Sequence, residues 1–477
     1  MSIFKACDIR GAYPTELAEP LYADLGRAVG TVLRGQADRP SVLVAGDVRT
    51  STPTLQAALI EGLTAAGCRV TDLGIAPTPL AYFAARRLRP DGLAIVTASH
   101  NPAGDNGLKL MLGPLPITLE QMGRVEQTLA ARRFAAGCGS VTVQSFEADY
   151  IEWLCASAAP GGRLKLVLDC GNGTYSALAP RVLRRLGYRV VELFCTPDGT
   201  FPNRAPNPSV PEHLSALCDA VPRAGAALGV ALDGDGDRVA VVDDAGRALT
   251  GDQSIMLLAQ HVLDPARSAA FRPRASDGEA EKIRAEARSA DRVVLDLKCS
   301  KAVADVVAAC GAVPLLERSG HTFIKTRMIA ENARFGGEVS GHFFYRELEG
   351  GDDGLYSVLR LAELARQSER PVSALVNALP HYAITPDIRV RYKAADGPQR
   401  LEQLAAAATG DVLRLDGVRI AYPDGWALAR CSVTEPLLTF RFEAYAGSPR
   451  AIAERFLAPA PDLLRAVLSR LDALDNA

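Results

Sequence analysis

The chain of 477 residues lacks an excess of charge of either sign: 53 lysines and arginines face 55 aspartates and glutamates, for a net charge of −2. Without a basic surplus it has no electrostatic footprint for nucleic acid or an anionic membrane. It also lacks long apolar runs. The opening "MSIFKACDIRG" holds no apolar core of signal-peptide length, and no later stretch approaches the roughly 20 apolar residues of a membrane span. A cytoplasmic protein that meets neither membrane nor nucleic acid is expected. Ten cysteines are scattered along the chain, none with the short C-x-x-C spacing of a zinc or redox site. They read as reduced and mostly buried.

What is present is a chain long enough for three or four domains, 48% hydrophobic, built from short β-branched runs that alternate with helical segments. "SVLVAG" precedes "TLQAALIEGLTAAG", "GLAIVT" precedes a polar loop, and "LKLVLD" precedes a helix near Ala177–Leu186. Such alternation predicts α/β units with parallel or mixed sheets. Glycine-rich or helix-breaking stretches at "ASAAPGGR", "LTGDQS" and "SERPVS" divide the chain into 1–157, 158–252, 253–370 and 371–477. After Pro371 the pattern changes to separated strands and two helices, an α+β unit whose last helix runs from about Pro461 to Leu474. Asp264–Asp291 is charged, alanine-rich and poor in large apolar residues, which predicts a surface loop followed by an exposed helix.

Polar, glycine-containing stretches fall just after the strands, where open α/β sheets bind ligands. The sharpest is "LDGDGDRVAVVDD". Asp233, Asp235 and Asp237 alternate with glycines, so their carboxylates can converge, and three converging carboxylates need a cation between them. Hard oxygen ligands favour magnesium or a similar divalent ion. An EF-hand is excluded because Arg238 stands where that loop needs glycine and a strand follows at once.

In "VTASHNPAGDNGLKL" Ser99 follows an apolar strand, with His100 able to handle a proton and Lys109 able to neutralise phosphate or act as a base. A phosphate on Ser99 would find its natural counter-ion in the metal of the aspartate loop. "SGHTFIKTRM" and "GGEVSGHFF" bring Glu338 and Ser340, suited to vicinal sugar hydroxyls, together with His321 and either Lys325 or Lys298 to meet charge, and His342 is a further substrate-binding candidate. "RCSVTEP" places Arg430, Ser432 and Thr434 on alternate residues, the makings of a phosphate clamp.

In order and along nearly the whole chain, "FKACDIRG", "TASHNP", "DNGLKL", "DCGNGT", "DGTFPNRAPNP", "DGDGDR", "LDLKCS", "SGHTFIK", "GGEVSGH", "GGDDG" and "RCSVTEPLLTFRFEA" resemble the α-D-phosphohexomutase family, in particular its bacterial phosphomannomutase/phosphoglucomutase branch. The resemblance implies four domains around a central cleft, three α/β domains like one another and a last domain similar to the TATA-binding-protein fold. It implies that Ser99 carries a phosphoryl group and, with Asp233, Asp235 and Asp237, holds magnesium. By the same resemblance Glu338 and Ser340 read the sugar, Arg430, Ser432 and Thr434 grip the phosphate that is not reacting, and Arg10, Lys109, Arg238, Lys298 and His321 line the reacting centre.

The implied reaction is two phosphoryl transfers through a 1,6-bisphosphosugar, interconverting hexose 1- and 6-phosphates, with glucose 1,6-bisphosphate as activator. Lys109 or His321 is the expected general base, and the protein is expected to be a monomer or weak homo-oligomer. Cys7 stands where this branch often has tyrosine, Gly46 where arginine is expected, and Val433 where relatives carry asparagine or glycine. Val339 differs both from the glutamine of the phosphoglucosamine mutase branch and from the methionine of the mannose/glucose branch. The rival readings are phosphoglucosamine mutase, a metal-dependent phosphatase and a non-catalytic sugar-phosphate binding protein. The presence of Ser99 and all three aspartates weighs against the last.

Overall fold

Four sheets follow one another along the chain in the computed structural model, which describes residues 3–264, 290–392, 396–431 and 437–475. The charged stretch expected to form a loop and exposed helix therefore lies almost wholly outside the described residues, as do Ser432, Val433 and Thr434.

The first sheet has six strands in the order Ile9–Ala12, Asp105–Leu112, Gly92–Val96, Ser41–Gly46, Arg69–Ile75 and Ser140–Val143. Asp105–Leu112 runs antiparallel to both of its neighbours, and the remaining pairs are parallel. The strand Gly92–Val96 is buried at every position, the pattern of a strand covered on both faces. Helix Glu19–Arg34 opens with proline in its first turn and buries Tyr22, Leu25, Val29 and Val32, a stripe at helical spacing that packs on helix Thr52–Ala65.

The second sheet orders Val239–Asp243, Leu228–Leu232, Lys165–Asp169 and Arg189–Leu193, and the third orders Val313–Glu317, Arg292–Asp296, Phe335–Gly337, Phe343–Tyr345 and Gly351–Asp352. One local motif recurs in all three sheets. A buried strand with a parallel neighbour turns through a short loop into an antiparallel strand: Gly92–Val96 into Asp105–Leu112, Leu228–Leu232 into Val239–Asp243, and Phe335–Gly337 into Phe343–Tyr345. The three connecting loops carry Ser99, the three aspartates, and Glu338 with Ser340 and His342. The fourth sheet is antiparallel, centred on Leu437–Ala444 and Gly425–Cys431, with helices Gly397–Ala406, Pro449–Leu457 and Pro461–Asp475 packed around Phe440, Phe442 and Phe456.

The "LTGDQS" stretch, expected as a boundary, begins a helix: the Thr250 hydroxyl accepts from the Gln253 N–H while the Gln253 side chain accepts from the Thr250 N–H, which caps Gly251–Leu263. One apolar core runs from the front of the first sheet through the second and third, and the fourth sheet has its own. Helix Gly354–Gln367, which follows the third sheet, lies against Leu228–Leu232 and Val239–Asp243 of the second. Its N-cap, Asp353, accepts from the hydroxyls of Tyr150 at 2.6 Å and Tyr175 at 3.1 Å. Burial pushes that carboxyl up to about 6.

Candidate active site

The serine loop is shaped from behind by one buried arginine. Arg49 donates from Nη2 to the carbonyls of Ser99 at 2.8 Å and Asn101 at 2.7 Å, and from Nη1 to those of Pro102 at 2.5 Å and Asp105 at 2.9 Å. Its Nε donates to Asp47 at 3.0 Å, and Asp47 also accepts from the Thr52 and Thr97 hydroxyls, each at 2.7 Å. This clamp holds Ser99 at φ +53°, a left-handed backbone conformation uncommon outside glycine, and the Ser99 N–H is returned to the Thr97 hydroxyl at 2.8 Å. Gly46, where arginine was expected, is filled by close packing: a Cβ there would lie 2.3 Å from both Thr52 Cγ2 and Gln56 Oε1.

Ser99 is 1% exposed and its Oγ donates to Asp233 Oδ2 at 3.1 Å across the junction of the first and second sheets. The alternation of aspartate with glycine now has a physical reason. A Cβ at Gly234 would stand 2.6 Å from the Ser99 carbonyl, and Gly236 combines φ +88° with a tyrosine ring 2.3 Å from any Cβ.

Asp233, Asp235 and Asp237 are buried, and their carboxylate oxygens lie within 4.8 Å of one another. Lys109 Nζ meets Asp235 at 2.6 Å and Asp237 at 2.5 Å. Burial and the two neighbouring carboxylates push Asp233 well up. Burial would raise Asp235 and Asp237 too, but Lys109 outweighs it and holds both below the usual carboxylate range. Lys109 and the Arg238 guanidinium, 3.9 Å from Asp233, do not balance three buried carboxylates. Asp235 Oδ1 and Asp237 Oδ1 also have no hydrogen-bond partner among the described residues. Hard oxygen donors, converging and unsatisfied, fit a small divalent cation.

The same contacts set the charge of Lys109. Burial opposes the Lys109 charge, yet Asp235 and Asp237 hold its pKa well above the ordinary lysine value, so with these partners it stands as a cation. His321 is the contrary case. Burial, then Lys109, pushes it down to about 4, and its Nε2 is buried without a hydrogen bond among the described residues. A neutral imidazole with an open nitrogen can accept a proton. His100 Nδ1 lies 3.3 Å from Ser99 Oγ, and burial, then Arg238 and Arg10, drives it well below the usual histidine range.

The third loop docks on the second. Arg238 pairs with His342 as an isolated β-bridge, and its Nε donates to His342 Nε2 at 2.8 Å. His342 Nδ1 then faces Asp352 at 2.6 Å, which sets the tautomer that donates from Nδ1. Both ring nitrogens are engaged, and His342 positions Arg238.

Glu338 is 7% exposed, and its carboxylate lies beside the Ser340 hydroxyl. Burial raises Glu338, but His342, Arg238 and Lys298 together lower it. Lys298 Nζ lies 3.9 Å from Asp296 and 3.6 Å from Asp387 of the fourth unit. Arg10 is held by Asp8 at 2.7 Å and donates to Asn101 at 2.7 Å. Arg430 pairs with Asp416 at 3.0 Å, while Ser432 and Thr434 fall outside the described residues. Cys7 sits against the turn that starts the His321 helix, 3.4 Å from where a Gly320 Cβ would be. Lys325 does not join this group: it lies on the ring of Tyr82, 4.1 Å from its centroid.

Sequence reasoning left four groups unassigned. Asp47 and Arg49 were visible only as a polar "GDVRTS" after a strand, Thr78 as an ordinary helix start whose hydroxyl donates to Asp235 at 2.6 Å, and Asp352 only as part of "GGDDG".

Four family models match in order: phosphoglucomutase/phosphomannomutase alpha/beta/alpha domain I over residues 1–136, domain II over 148–246, domain III over 250–382, and the C-terminal domain over 388–456. The chain is 36% identical over 449 residues to a phosphomannomutase/phosphoglucomutase of Pseudomonas aeruginosa, covering 93% of this chain and 92% of the relative. It is 34% identical over 450 residues to a phosphoglucomutase of Neisseria meningitidis, covering 93% of each. A crystal structure of a phosphoglucomutase/phosphomannomutase family protein from Burkholderia thailandensis superposes with a TM-score of 0.84 at 36% identity, covering 96% of both chains.

Proposed function

Because this chain belongs to the phosphoglucomutase/phosphomannomutase family and is a phosphohexomutase, interconverting hexose 1-phosphate and hexose 6-phosphate, we propose that Ser99 is the residue that carries the travelling phosphoryl group. The observation that supports this is the placement of Ser99 Oγ, 3.1 Å from Asp233 and strained into position by Arg49, at the edge of a buried carboxylate cluster. Mannose and glucose phosphates are the substrates, with glucose 1,6-bisphosphate as the activating phosphoryl donor. The cytoplasm is the setting, and the protein acts as a monomer or weak homo-oligomer.

Asp233, Asp235 and Asp237, with an oxygen of phosphorylated Ser99, would hold a magnesium ion, which neutralises charge on the phosphoryl oxygens when bound. The chain's own residues do the rest. Arg238, aimed by His342, meets the phosphoryl oxygens, and Lys109 compensates the carboxylates beside them. Glu338 and Ser340 orient the sugar through its hydroxyls. As the bond from phosphorus to Ser99 Oγ breaks and a bond from phosphorus to the sugar oxygen forms, the hydroxyl proton passes to His321 Nε2. The 1,6-bisphosphosugar then turns in the cleft and the same steps run in reverse. Arg430, with Ser432 and Thr434, holds the other phosphate throughout.

The test is conversion of mannose 1-phosphate, glucose 1-phosphate and glucosamine 1-phosphate to their 6-phosphates, followed by phosphorus NMR with magnesium and a trace of glucose 1,6-bisphosphate. The first two are expected to convert, and Ser99→Ala to lower the rate by at least about a thousandfold. Preferential conversion of glucosamine 1-phosphate would support the phosphoglucosamine reading, and release of inorganic phosphate alone the phosphatase reading. An active Ser99→Ala protein would remove the serine from the mechanism.

A further inference from the structure

One turn along helix His321–Ala330 from His321, a cavity of about 820 Å3 that none of the three aspartates lines opens between the first and third sheets. Helix Thr78–Leu88 and the turn at 113–115 form one wall, and helix His321–Ala330 with residues 346–350 the other. Leu93, Met111, Met328 and Leu348 make the lining largely apolar.

The charged groups around it are already matched, with one exception. Arg89 and Glu349 bridge the two walls through hydrogen bonds of 2.7 and 2.5 Å, Arg346 pairs with Asp291 at 2.7 Å, and Asp91 accepts from the Ser41 N–H and hydroxyl, each at 2.8 Å. Arg86 donates to the Leu348 carbonyl at 3.4 Å and faces the rings of Phe83 and Trp153. Lys325 differs. It is 6% exposed and lines the cavity, yet among the described residues its ammonium meets no carboxylate and no hydrogen-bond acceptor, only the face of Tyr82. Burial pushes it down to about 8, and the more distant Asp352 and Glu349 carboxylates do not offset it.

A buried cation without a partner is costly, and the structure tolerates it where something else supplies the opposite charge. The volume lies within the range of small-molecule sites, and its walls suit an apolar body rather than a bare sugar. We infer that this cavity is a second ligand site, separate from the reaction cleft, for a small molecule with one anionic group on an apolar body. The anion lies on Lys325 Nζ and the body between Met111 and Met328. Lys325 is one helical turn beyond His321, so the occupant rests on the helix that carries the proton acceptor. It also spans the seam between the first and third sheets. The "SGHTFIK" stretch thus serves two sites, His321 one and Lys325 the other.

The probe is 8-anilinonaphthalene-1-sulfonate, a sulfonate on an aromatic body, titrated by fluorescence into the whole protein. One saturable site is expected, not displaced by saturating glucose 1,6-bisphosphate, with Lys325→Met weakening binding about tenfold or more through loss of the charge-assisted contact. Ile329→Glu keeps Lys325 but adds a carboxylate to a wall position that is 39% exposed, and is expected to weaken the sulfonate similarly. Should Lys325→Met lose its cooperative unfolding transition, Ile329→Glu decides. Unchanged affinity in the folded variants, or displacement by the bisphosphate, would overturn the assignment.

Discussion

The junction of the first and second sheets and the junction of the third and fourth are built on opposite principles. At the first, the loops of Ser99 and the aspartates touch through backbone: Thr78 N–H donates to the Asp235 carbonyl at 2.9 Å, and Gly234 lets its strand end approach the Ser99 carbonyl. Behind these contacts runs a single apolar core shared by three sheets. At the second, the buried apolar contact shrinks to Leu297, Trp426 and Leu428. The rest is polar, gathered on Glu443, which accepts from the Lys301 N–H at 2.9 Å, the Trp426 indole N–H at 2.5 Å and the Ser300 hydroxyl. Asp252–Arg441 at 3.3 Å and Lys298–Asp387 at 3.6 Å complete it. Groups that must meet a phosphoryl oxygen to within fractions of an ångström sit on a close-packed core that resists deformation. A small polar seam suits a unit that swings, and the fourth unit is expected to hinge so that the cleft can close and the bisphosphosugar turn.

Removing a carboxylate from the rigid junction should do the most damage. Asp235→Asn deletes a charge that Lys109 and Thr78 both engage, and is expected to lower kcat by about a hundredfold or more while raising the magnesium needed for half-maximal rate. Steady-state rates across a magnesium titration check it, and a variant with an unchanged magnesium requirement would take Asp235 out of the metal site.

Asp352→Asn tests the next layer. It leaves every group at the reacting centre in place but loosens the tautomer and orientation of His342, and with it Arg238. A fall in kcat of about tenfold with KM little changed is expected. A matching rise in KM would instead mean that Arg238 serves ground-state binding.

Acid probes the reacting centre through His321, on a helix of the third sheet. Its folded value of about 4 lies below the unfolded value of about 6.5, so the unfolded chain binds more protons between the two. The stability His321 contributes by staying neutral is fully present above about pH 6.5 and declines as pH falls toward 4, by at most about 1.4 kcal/mol per pH unit. Denaturant unfolding of the parent and His321→Gln at pH 7 and pH 5 measures it: the variant should lose less on acidification.

The smallest effect on catalysis is expected at the polar seam. Glu443→Ala leaves three donors without their acceptor, which costs about 2 kcal/mol and should lower the unfolding temperature of the fourth unit while the first three hold. Sugar-phosphate KM should rise more than kcat falls. Loss of the whole protein in one transition would show the two junctions to be equally rigid and erase the contrast.

How much could be read beforehand followed the range of each interaction. Ser99, the aspartates and the Glu338–Ser340 loop were legible because each sits in a short glycine-punctuated turn at a strand end, a local pattern that sequence displays. Arg49 was not: its task is to reach four carbonyls some fifty residues away, and nothing in "VRTS" announces that reach. Lys109 was legible as a cation or base of the centre but not in its partners, because its pKa is set by carboxylates 126 and 128 residues further on. His342 was legible as a candidate, but not its place between Arg238 and Asp352.

By itself, the sequence determined the α/β alternation, the loops that carry chemistry and the need for a cation among alternating aspartates. These depend on backbone sterics and on charge density within a few residues. Only the tertiary structure decided which partner each charged group meets: Lys109 on two aspartates, Arg238 on His342, Lys325 on a ring at the wall of a separate cavity. Those pairings arise from how one sheet docks on the next, and electrostatic energies depend on distance and burial, which are properties of the packed molecule rather than of the chain.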